Sequence, residues 1–378
     1  MADAKIDFLY LNEEDMIRAG VTDMAGCVEA MEEMFRLLKI GDYRMGGANG
    51  NSHGVMMLFP EKSEFPNMPL DGPDRRFMAM PAYLGGKFDM VGMKWYGSNV
   101  ENKARGLPRS ILMLTLNDKD TGAPIAHMSA NILSAYRTGA VPGVGVKYFA
   151  KEDAKIVGVV GPGVMSKTAL AATMAVRDEI DTIKIKGRSK GSLDSFIEYV
   201  KEEFPSIKNI QIVEDIQGTV EGSDIVIIAT STPTGDINEY PYVKEEWIKP
   251  GAVFCCPASA RFDEDFVVKR ARNVADNIQL YEAWADEMPY PAYETIPIPA
   301  VNCMDLVADG KMTADQVDDL GDVIVGKVPV KRKEDEVVIF SVGGMPIEDV
   351  AWGTIVYRNA VEKGIGQELN LWGKPSLA

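Results

Sequence analysis

The spacing of apolar residues changes its rhythm near residue 131. Before that point, apolar positions at helical spacing extend from Asp15 to about Lys39 and predict one long helix. Strand-like runs follow it, namely GVMMLFP, FMAMPAYL, MVGMKWYG and SILMLTLND, and the last of these leads into the hairpin signal DKDTGAP. A Pro-rich and charged segment, residues 61–76, reads as a surface loop. This part of the chain therefore predicts a mostly antiparallel sheet with one long helix.

From Asn131 onward, continuous apolar runs alternate with helical segments. The runs are KIVGVVG, TIKIKGRS, NIQIVED, DIVIIATS and AVFCCPAS, and a late run, EVVIFSV, precedes a closing helix. Apolar strands separated by helices are typical of a parallel sheet that is covered on both faces. With 378 residues the chain exceeds what one core usually supports, so we expect an α/β protein of two domains.

The charge and composition exclude several classes of function. The formal net charge of −16 repels nucleic acid and anionic lipid, so we expect neither as a partner. No apolar run is long enough to span a membrane, and the N-terminus lacks the pattern of a secretory signal. The four cysteines show no metal-ligand spacing and are expected to be reduced, which predicts a cytoplasmic protein without a metal site. With only two histidines, we expect a proton donor that is lysine, an acid or water.

A glycine-rich turn stands between the first run of the second part and its helix. Residues 161–166 read Gly-Pro-Gly-Val-Met-Ser, a pattern that is weak alone but is strengthened here by the strand before it and the helix after it. The first glycine permits a tight turn, the second lets a pyrophosphate approach, and the helix N-terminus stabilises its charge. We assign dinucleotide binding to Gly161, Pro162, Gly163, Val164 and Met165. The second domain is therefore predicted to be a Rossmann domain.

The end of the next strand predicts which dinucleotide binds. NAD-selective folds carry an acid about 20 residues after the glycines, where it binds the ribose 2′-hydroxyl. This chain instead has Gly187, Arg188, Ser189 and Lys190, and the two cations attract a 2′-phosphate. NADP(H) is therefore favoured over NAD(H). We also assign to the cofactor Thr230 and Ser231, at the end of the run DIVIIATS.

Several segments together resemble the ornithine cyclodeaminase/mu-crystallin family. They include GDYRM, MPAYLGG, GMKWYGSN, SANILSAYRTGAVPGVGVKYFA, VGPGVMS and LGDVIVGKVPVKRKEDEVVIFSVGG, and they span most of the chain. The resemblance implies a substrate-binding and dimerisation domain over residues 1–130 and 345–378, with a Rossmann domain over 131–344. It also implies a homodimer whose N-terminal sheets meet. Residues 61–76 look like an insertion relative to shorter members.

The resemblance also assigns roles to individual residues. Arg44 and Arg137 match the arginines that bind the substrate carboxylate in the family, and Lys94 matches the lysine beside the substrate carboxyl and the reacting carbon, so all three are expected to bind the substrate. Thr138 follows Arg137 and is implied to lie near the cofactor. The residue types suit these roles, because arginine offers a planar fork for a carboxylate and the pKa of lysine falls when it is buried.

One departure from the family shapes the functional prediction. Cyclodeaminases carry an aspartate after the strand that reads AVFCCPAS here, and this chain has Ser259 at that position, as the mu-crystallin branch does. Without that aspartate, we expect hydride transfer at a C=N or C–N bond next to a carboxylate, as in an imine or ketimine reductase or an amino-acid dehydrogenase. Lys94, Arg137 and Ser259 are the candidate catalytic residues. The alternatives are an ornithine cyclodeaminase using a later acid such as Asp263 or Asp265, an opine-type or amine dehydrogenase, and a non-catalytic ligand-binding protein.

Overall fold

The computed structural model describes residues 4–230 and 236–377, which form two compact units. The first unit comprises Met1–Asp23, Ile40–Arg137 and Met345–Ala378. The second comprises Met24–Lys39 and Thr138–Gly344. The boundary near the middle of the chain thus falls inside a helix, after Arg137, rather than at residue 130.

The first unit is built on a sheet with eight strands in its described part. The strands are β1 (Ile6–Leu11), β2 (Tyr43–Met45), β3 (Val55–Leu58), β4 (Arg76–Leu84), β5 (Met90–Ser98), β6 (Ser110–Asn117), β7 (Pro124–Ser129) and β18 (Gln367–Trp372). Their order is β18-β1-β7-β6-β5-β4, and both β2 and β3 pair with the outer edge of β4. Only the β1–β7 pair is parallel among these described strands, so the predicted mostly antiparallel sheet is confirmed.

One face of this sheet is covered by helix α11 (Pro346–Lys363). Burial alternates along β5, where Lys94 and Tyr96 point to the covered face and Met93 and Trp95 to the other. The helix packs closely on the sheet at Gly353, where an added Cβ would come 2.3 Å from Leu114 Cδ2. A glycine at this position of α11 therefore decides how near the first turns of the helix come to the strands.

The opposite face of the sheet is apolar but exposed. Trp95 and Met93 are each 37% exposed, Ile111 is 49% exposed and Met113 is 42% exposed. These residues share one face, since Trp95 pairs with Met113 across β5 and β6. The Trp95 ring also stacks on Phe77 of β4, with 5.7 Å between the ring centroids. The result is a continuous apolar surface.

The second unit is a parallel sheet with helices between its strands. The strands are β8 (Ile156–Val160), β9 (Thr182–Lys186), β10 (Asn209–Ile212), β11 (Ile225–Ile228), β12 (Tyr242–Val243), β13 (Val253–Cys256), β14 (Arg261–Phe262), β15 (Arg272–Ala275), β16 (Val317–Asp319) and β17 (Val338–Ser341). The main sheet has the order β10-β9-β8-β11-β13-β17-β15-β16, while β12 and β14 form a separate pair. The order reverses between β8 and β11, which is the position where dinucleotides bind in Rossmann folds. The predicted fold class is confirmed.

Helices connect these strands and complete both units. They are α1 (Glu13–Arg18), α2 (Met24–Ile40), α3 (Asn131–Phe149), α4 (Val164–Val176), α5 (Lys190–Glu203), α6 (Ile216–Val220), α7 (Glu264–Lys269), α8 (Ile278–Glu287), α9 (Pro299–Ala308) and α10 (Leu320–Ile324). No helix in the described ranges combines the length and apolar character that crossing a membrane requires.

The prediction of one long helix from Asp15 to Lys39 is wrong. The chain forms α1 and α2 instead, separated by a turn in which Gly20 has φ +96°, a conformation that favours glycine. Residues 24–39 also group with the second unit. Their partners there include Lys147, which forms an ion pair with Glu32 at 2.6 Å, and Asp322, which forms one with Lys39 at 2.5 Å.

Candidate active site

Four charged side chains meet under the covered face of the first unit's sheet. Lys94 Nζ lies 2.7 Å from Asp349 Oδ2, and Arg137 Nε donates a hydrogen bond of 3.0 Å to Asp349 Oδ1. Arg137 Nη1 donates a second hydrogen bond, of 2.6 Å, to Glu348 Oε2. None of the four residues is more than 4% exposed. We call Lys94, Arg137, Glu348 and Asp349 the buried charge group.

Three elements deliver these side chains. Lys94 lies on the inward face of β5, Arg137 is in the first half of α3, and the two acids occupy the first turn of α11. Carboxylates are favoured at a helix N-terminus, where the helix dipole is positive. Glu348 also accepts a hydrogen bond of 2.8 Å from the backbone N–H of Met345, which caps the helix. The N-terminal position of both acids in α11 thus favours their charged form independently of the two cations.

The electrostatics of the group are balanced, with two cations and two anions. The pKa of Lys94 is lowered to about 8, because burial and the charge of Arg137 together outweigh the opposite effects of Asp349 and Glu348. For Arg137, burial lowers the pKa, but the neighbouring charges of Asp349 and Glu348 outweigh it and raise the pKa overall. Arg137 is therefore a permanent cation, whereas Lys94 is poised to gain or lose a proton near neutral pH.

The group keeps a donor available for an anion. Nε and Nη1 of Arg137 bind the two acids. Within residues 4–230 and 236–377, the third nitrogen, Nη2, has no hydrogen-bond partner. Lys94 Nζ contacts Ser134 Oγ at 3.3 Å and lies 5.7 Å from the centre of the Tyr96 ring. The free edge of the Arg137 guanidinium is suited to binding a substrate carboxylate. Lys94, whose pKa is lowered, is suited to exchanging a proton with a nitrogen on the carbon next to that carboxylate.

Arg44, the third predicted carboxylate ligand, is not part of this group. It pairs with Tyr83 of β4, whereas Lys94 pairs with Met80, and residues three apart on one strand point to opposite faces. The Arg44 side chain is exposed and donates to the backbone carbonyls of Gly41 and Tyr43. The structure therefore brings Lys94 and Arg137 together but leaves Arg44 on the other face of the sheet.

In the second unit, the glycine turn has the geometry that a pyrophosphate requires. Gly161 has φ +89°, and a Cβ there would come 2.7 Å from the carbonyl oxygen of Ala229. Among the described residues, no atom outside its immediate chain neighbours lies within 4 Å of where a Cβ of Gly163, the N-cap of α4, would stand, and no side chain caps the helix. Ser166 is fully buried and donates a hydrogen bond of 2.6 Å to Gly161 O, which closes the turn. The open N-terminus of α4, from Gly163 through Val164 and Met165, fits a dinucleotide phosphate.

The loop after β9 packs directly on this turn. A Cβ at Gly187 would come 2.8 Å from Pro162 Cγ, so only glycine lets the two loops approach this closely. Arg188 and Lys190 are exposed beside it, and Lys190 forms an ion pair of 2.5 Å with Asp194. Ser189 caps α5 by accepting a hydrogen bond from the N–H of Ser192. The predicted cations thus lie at the rim of the glycine turn.

The remaining predicted residues lie at the carboxyl end of the sheet. Thr230 follows β11, Ser259 follows β13, and their hydroxyl groups form a hydrogen bond of 3.2 Å. Ser231 lies outside the described residues. Thr138 follows Arg137 in α3 and is the first residue of the second unit's main segment. In the described part of the chain, no cluster of three His, Cys, Asp or Glu side chains is arranged to hold a metal ion.

A model of the ornithine cyclodeaminase/mu-crystallin family matches residues 20–364. The chain belongs to this family. N-((2S)-2-amino-2-carboxyethyl)-L-glutamate dehydrogenase of Staphylococcus aureus is 26% identical over 97% of this chain and 99% of its own length. The structure of Thermococcus litoralis Δ1-pyrroline-2-carboxylate reductase with NADH and L-proline has a TM-score of 0.75, with 24% identity over 95% of this chain and 99% of that one. A dimeric archaeal alanine dehydrogenase with bound NAD also has a TM-score of 0.75, with 25% identity over 97% of this chain and 100% of that one.

Membership of the ornithine cyclodeaminase/mu-crystallin family agrees with the resemblance seen in the sequence. Together with the strand order and the open helix N-terminus at Gly163, it identifies the second unit as a nicotinamide-dinucleotide domain. Asp263 and Asp265, the later acids of this chain that could replace the missing aspartate of the cyclodeaminases, have other partners. Asp263 accepts hydrogen bonds from Tyr242 Oη and from the N–H of Glu245, and Asp265 is exposed and pairs with Lys269 at 2.7 Å.

Sequence reasoning missed Glu348 and Asp349. They stand in the segment MPIEDVAWG, whose other residues are apolar or small, so two adjacent acids there are anomalous for a helix that is otherwise buried. That anomaly was a usable signal, because buried acids require cationic partners. Ser134, which contacts Lys94, carried no such signal in the small-residue helix α3.

Proposed function

We propose that the protein is a nicotinamide-dependent reductase of a small imino acid, or the amino-acid dehydrogenase of the reverse reaction. The observation that carries the proposal is the buried charge group, in which Lys94 and Arg137 share Asp349. A proton donor of lowered pKa and a permanent cation with one unused edge are what the reduction of an α-imino carboxylate requires.

Each residue of the group has a defined part in this reaction. Arg137 binds the substrate carboxylate through Nη2, which orients the carbon–nitrogen double bond. Lys94 donates a proton from Nζ to the imine nitrogen and becomes a neutral amine, and the resulting iminium carbon is a stronger electrophile. A nicotinamide cofactor, when bound, would supply the hydride to that carbon. Solvent then restores the proton to Lys94. Ser259 remains a predicted contact of the cofactor or the substrate nitrogen, whereas Arg44, on the other face of the sheet from Lys94, is assigned no part in this step.

We propose NADPH as the preferred reductant. The support comes from Arg188 and Lys190, which lie on the loop that Gly187 packs against the glycine turn. The solved structures of the two similar proteins contain NADH and NAD, so the preference for NADPH rests on these residues of this chain. A 2′-phosphate would neutralise part of their charge.

We propose a homodimer formed through the exposed apolar face of the first unit's sheet. Trp95, Met93, Ile111 and Met113 make this face too apolar for a surface that stays in water. The similar archaeal alanine dehydrogenase is a dimer.

An enzyme acting on a secondary amine is the second candidate. The support is the similar Staphylococcus aureus dehydrogenase, whose alignment covers 97% of this chain. The compound in the name of that enzyme is an N-substituted amino acid. Ornithine cyclodeamination is less well supported, because Ser259 and Thr230 offer only hydroxyl groups and Asp263 is engaged by Tyr242.

A substrate panel tests the proposal. The purified protein is mixed with NADPH or NADH and with cyclic imino acids, or with α-keto acids plus ammonia, primary amines or amino acids. Oxidation of the reduced nicotinamide is followed by absorbance. We expect turnover of at least one cyclic or linear imino acid. Turnover only with an amino acid as the amine would favour the second candidate, and no turnover by a protein that binds NADPH would overturn both.

A further inference from the structure

Asp349 is the only residue of the buried charge group that contacts both cations. Its Oδ1 accepts the hydrogen bond from Arg137 Nε at 3.0 Å, and its Oδ2 lies 2.7 Å from Lys94 Nζ. The contact with Lys94 departs from the direction of a good hydrogen bond, so it acts chiefly as an ion pair. Glu348, by contrast, binds Arg137 and the N–H of Met345. The two adjacent acids therefore have different partners.

Little else in the first unit stabilises a charge on Lys94. The titratable groups around it are Glu348 and Asp349 from α11, Arg137 from α3, and Tyr96 from β5 itself. The neighbouring strands place Met80 and Leu114 opposite it, and both are apolar. In the part of the chain that the structure describes, its one neutral polar contact is the Ser134 hydroxyl at 3.3 Å. Burial and Arg137 both oppose the charge, and Asp349, the acid in contact with Lys94, offsets them most, with a smaller contribution from Glu348.

We propose that Asp349 is a positioning residue that holds Lys94 in place and keeps its ammonium group charged, so that Lys94 can give its proton to the imine nitrogen. This inference rests on the proposed reductase function. In the step itself, the Nζ–H bond breaks and an N–H bond forms on the substrate, with the Lys94 amine left neutral beside Asp349. Asp349 keeps its charge throughout and acts through Lys94, without binding the substrate itself.

The test is the pH dependence of kcat/KM for imine reduction, which reports the ionisation of the free enzyme. In the wild-type protein, activity should fall as pH rises through the pKa of Lys94, about 8. Asp349→Asn keeps the shape and the contact with Arg137 but removes the charge. The fall should then begin about 1–3 pH units lower. Asp349→Glu, which restores a charge, should move the profile back toward that of the wild type.

A matched control is Asp318→Asn in the second unit. Asp318 is also buried and also binds two arginines, with 2.8 Å to Arg272 and 2.6 Å to Arg332. This substitution should lower stability but leave the pH at which activity falls unchanged. A loss of activity in Asp349→Asn that is equal at every pH would show a merely structural role and overturn the inference.

The wild-type protein alone distinguishes failure of the role of Asp349 from failure of the reductase function. If Asp349→Asn does not fold, the wild-type profile decides, because a buried lysine without an effective counterion has a pKa of about 5–6. A wild-type fall at or below about pH 6 would therefore overturn the role of Asp349. Absence of turnover by the wild-type protein at any pH would instead overturn the reductase function and this inference with it.

Discussion

The hydroxyl groups of Thr230 and Ser259 form a hydrogen bond of 3.2 Å where the neighbouring strands β11 and β13 end. Ser259 is only 3% exposed, and the hydrogen bond gives its hydroxyl a neutral partner rather than a base. A serine in this setting cannot accept protons from an amine near neutral pH.

We therefore expect the protein to reduce a preformed cyclic imino acid but to release no ammonia from ornithine. Reduction of a ready-made imine needs one proton and one hydride, whereas cyclodeamination also needs a base that handles the amine and water. The measurement is an assay of ammonia and proline after incubation with NADP⁺ and ornithine. Reduction of a cyclic imino acid with NADPH, run in parallel, shows that the preparation is active. Steady production of proline and ammonia would mean that another residue is the base.

Removal of Arg137 should strongly destabilise the protein. Arg137→Met leaves Asp349 and Glu348 buried without their shared cation, and breaking a buried pair in this way costs about 3–5 kcal/mol. Urea unfolding gives the free energy of unfolding of the variant and of the wild type. Lys147→Met is the control, since Lys147 lies in the same helix and its ion pair with Glu32 is partly exposed. The control should lose less than about 1 kcal/mol, and equal losses would refute the prediction.

Selectivity for NADPH should depend on the loop after β9. Each charged hydrogen bond to a 2′-phosphate contributes about 1.5–3 kcal/mol. Arg188→Ala and Lys190→Ala should therefore each weaken NADPH binding about tenfold or more, with little change for NADH. Fluorescence titration with both nucleotides measures the dissociation constants. Lys201→Ala, an exposed lysine later in α5, is the control and should change neither constant. A wild-type protein that binds NADH as tightly as NADPH would contradict the cofactor proposal.

The exposed sheet face of the first unit should be a dimer interface. Trp95→Glu places a charge at its centre, where Trp95 stacks on Phe77 and pairs with Met113, and should convert a dimer into a monomer at micromolar concentration. Sedimentation velocity distinguishes the two states. Val361→Glu, at a residue on α11 that is 56% exposed, is the control and should leave the dimer intact. A wild-type protein that sediments as a monomer throughout this range rules the interface out.

Local patterns in the sequence were sufficient for much of the fold and for the cofactor turn. The strands β3 to β6 and the Rossmann strands β8, β9, β10, β11, β13 and β17 fall on the apolar runs that predicted them. The reason is that hydrophobic periodicity and glycine positions are local properties. Strands β15 and β16 were not predicted, because Arg272, Asn273, Asp318 and Asp319 interrupt the apolar pattern there with buried polar side chains.

The composition of the site was decided by tertiary structure. Lys94 and Arg137 were recognisable one by one, but Asp349, which joins them, is more than 200 residues away from either, and Arg137 lies 212 positions before it in the chain. Alternation along a strand indicates which residues share a face, yet it does not indicate which face a distant helix will cover. Helix α11 covers the face of Lys94 and leaves Arg44 on the other. Spacing along the chain therefore determined the elements and the turn, whereas the partners of a buried charge depend on how remote segments pack together.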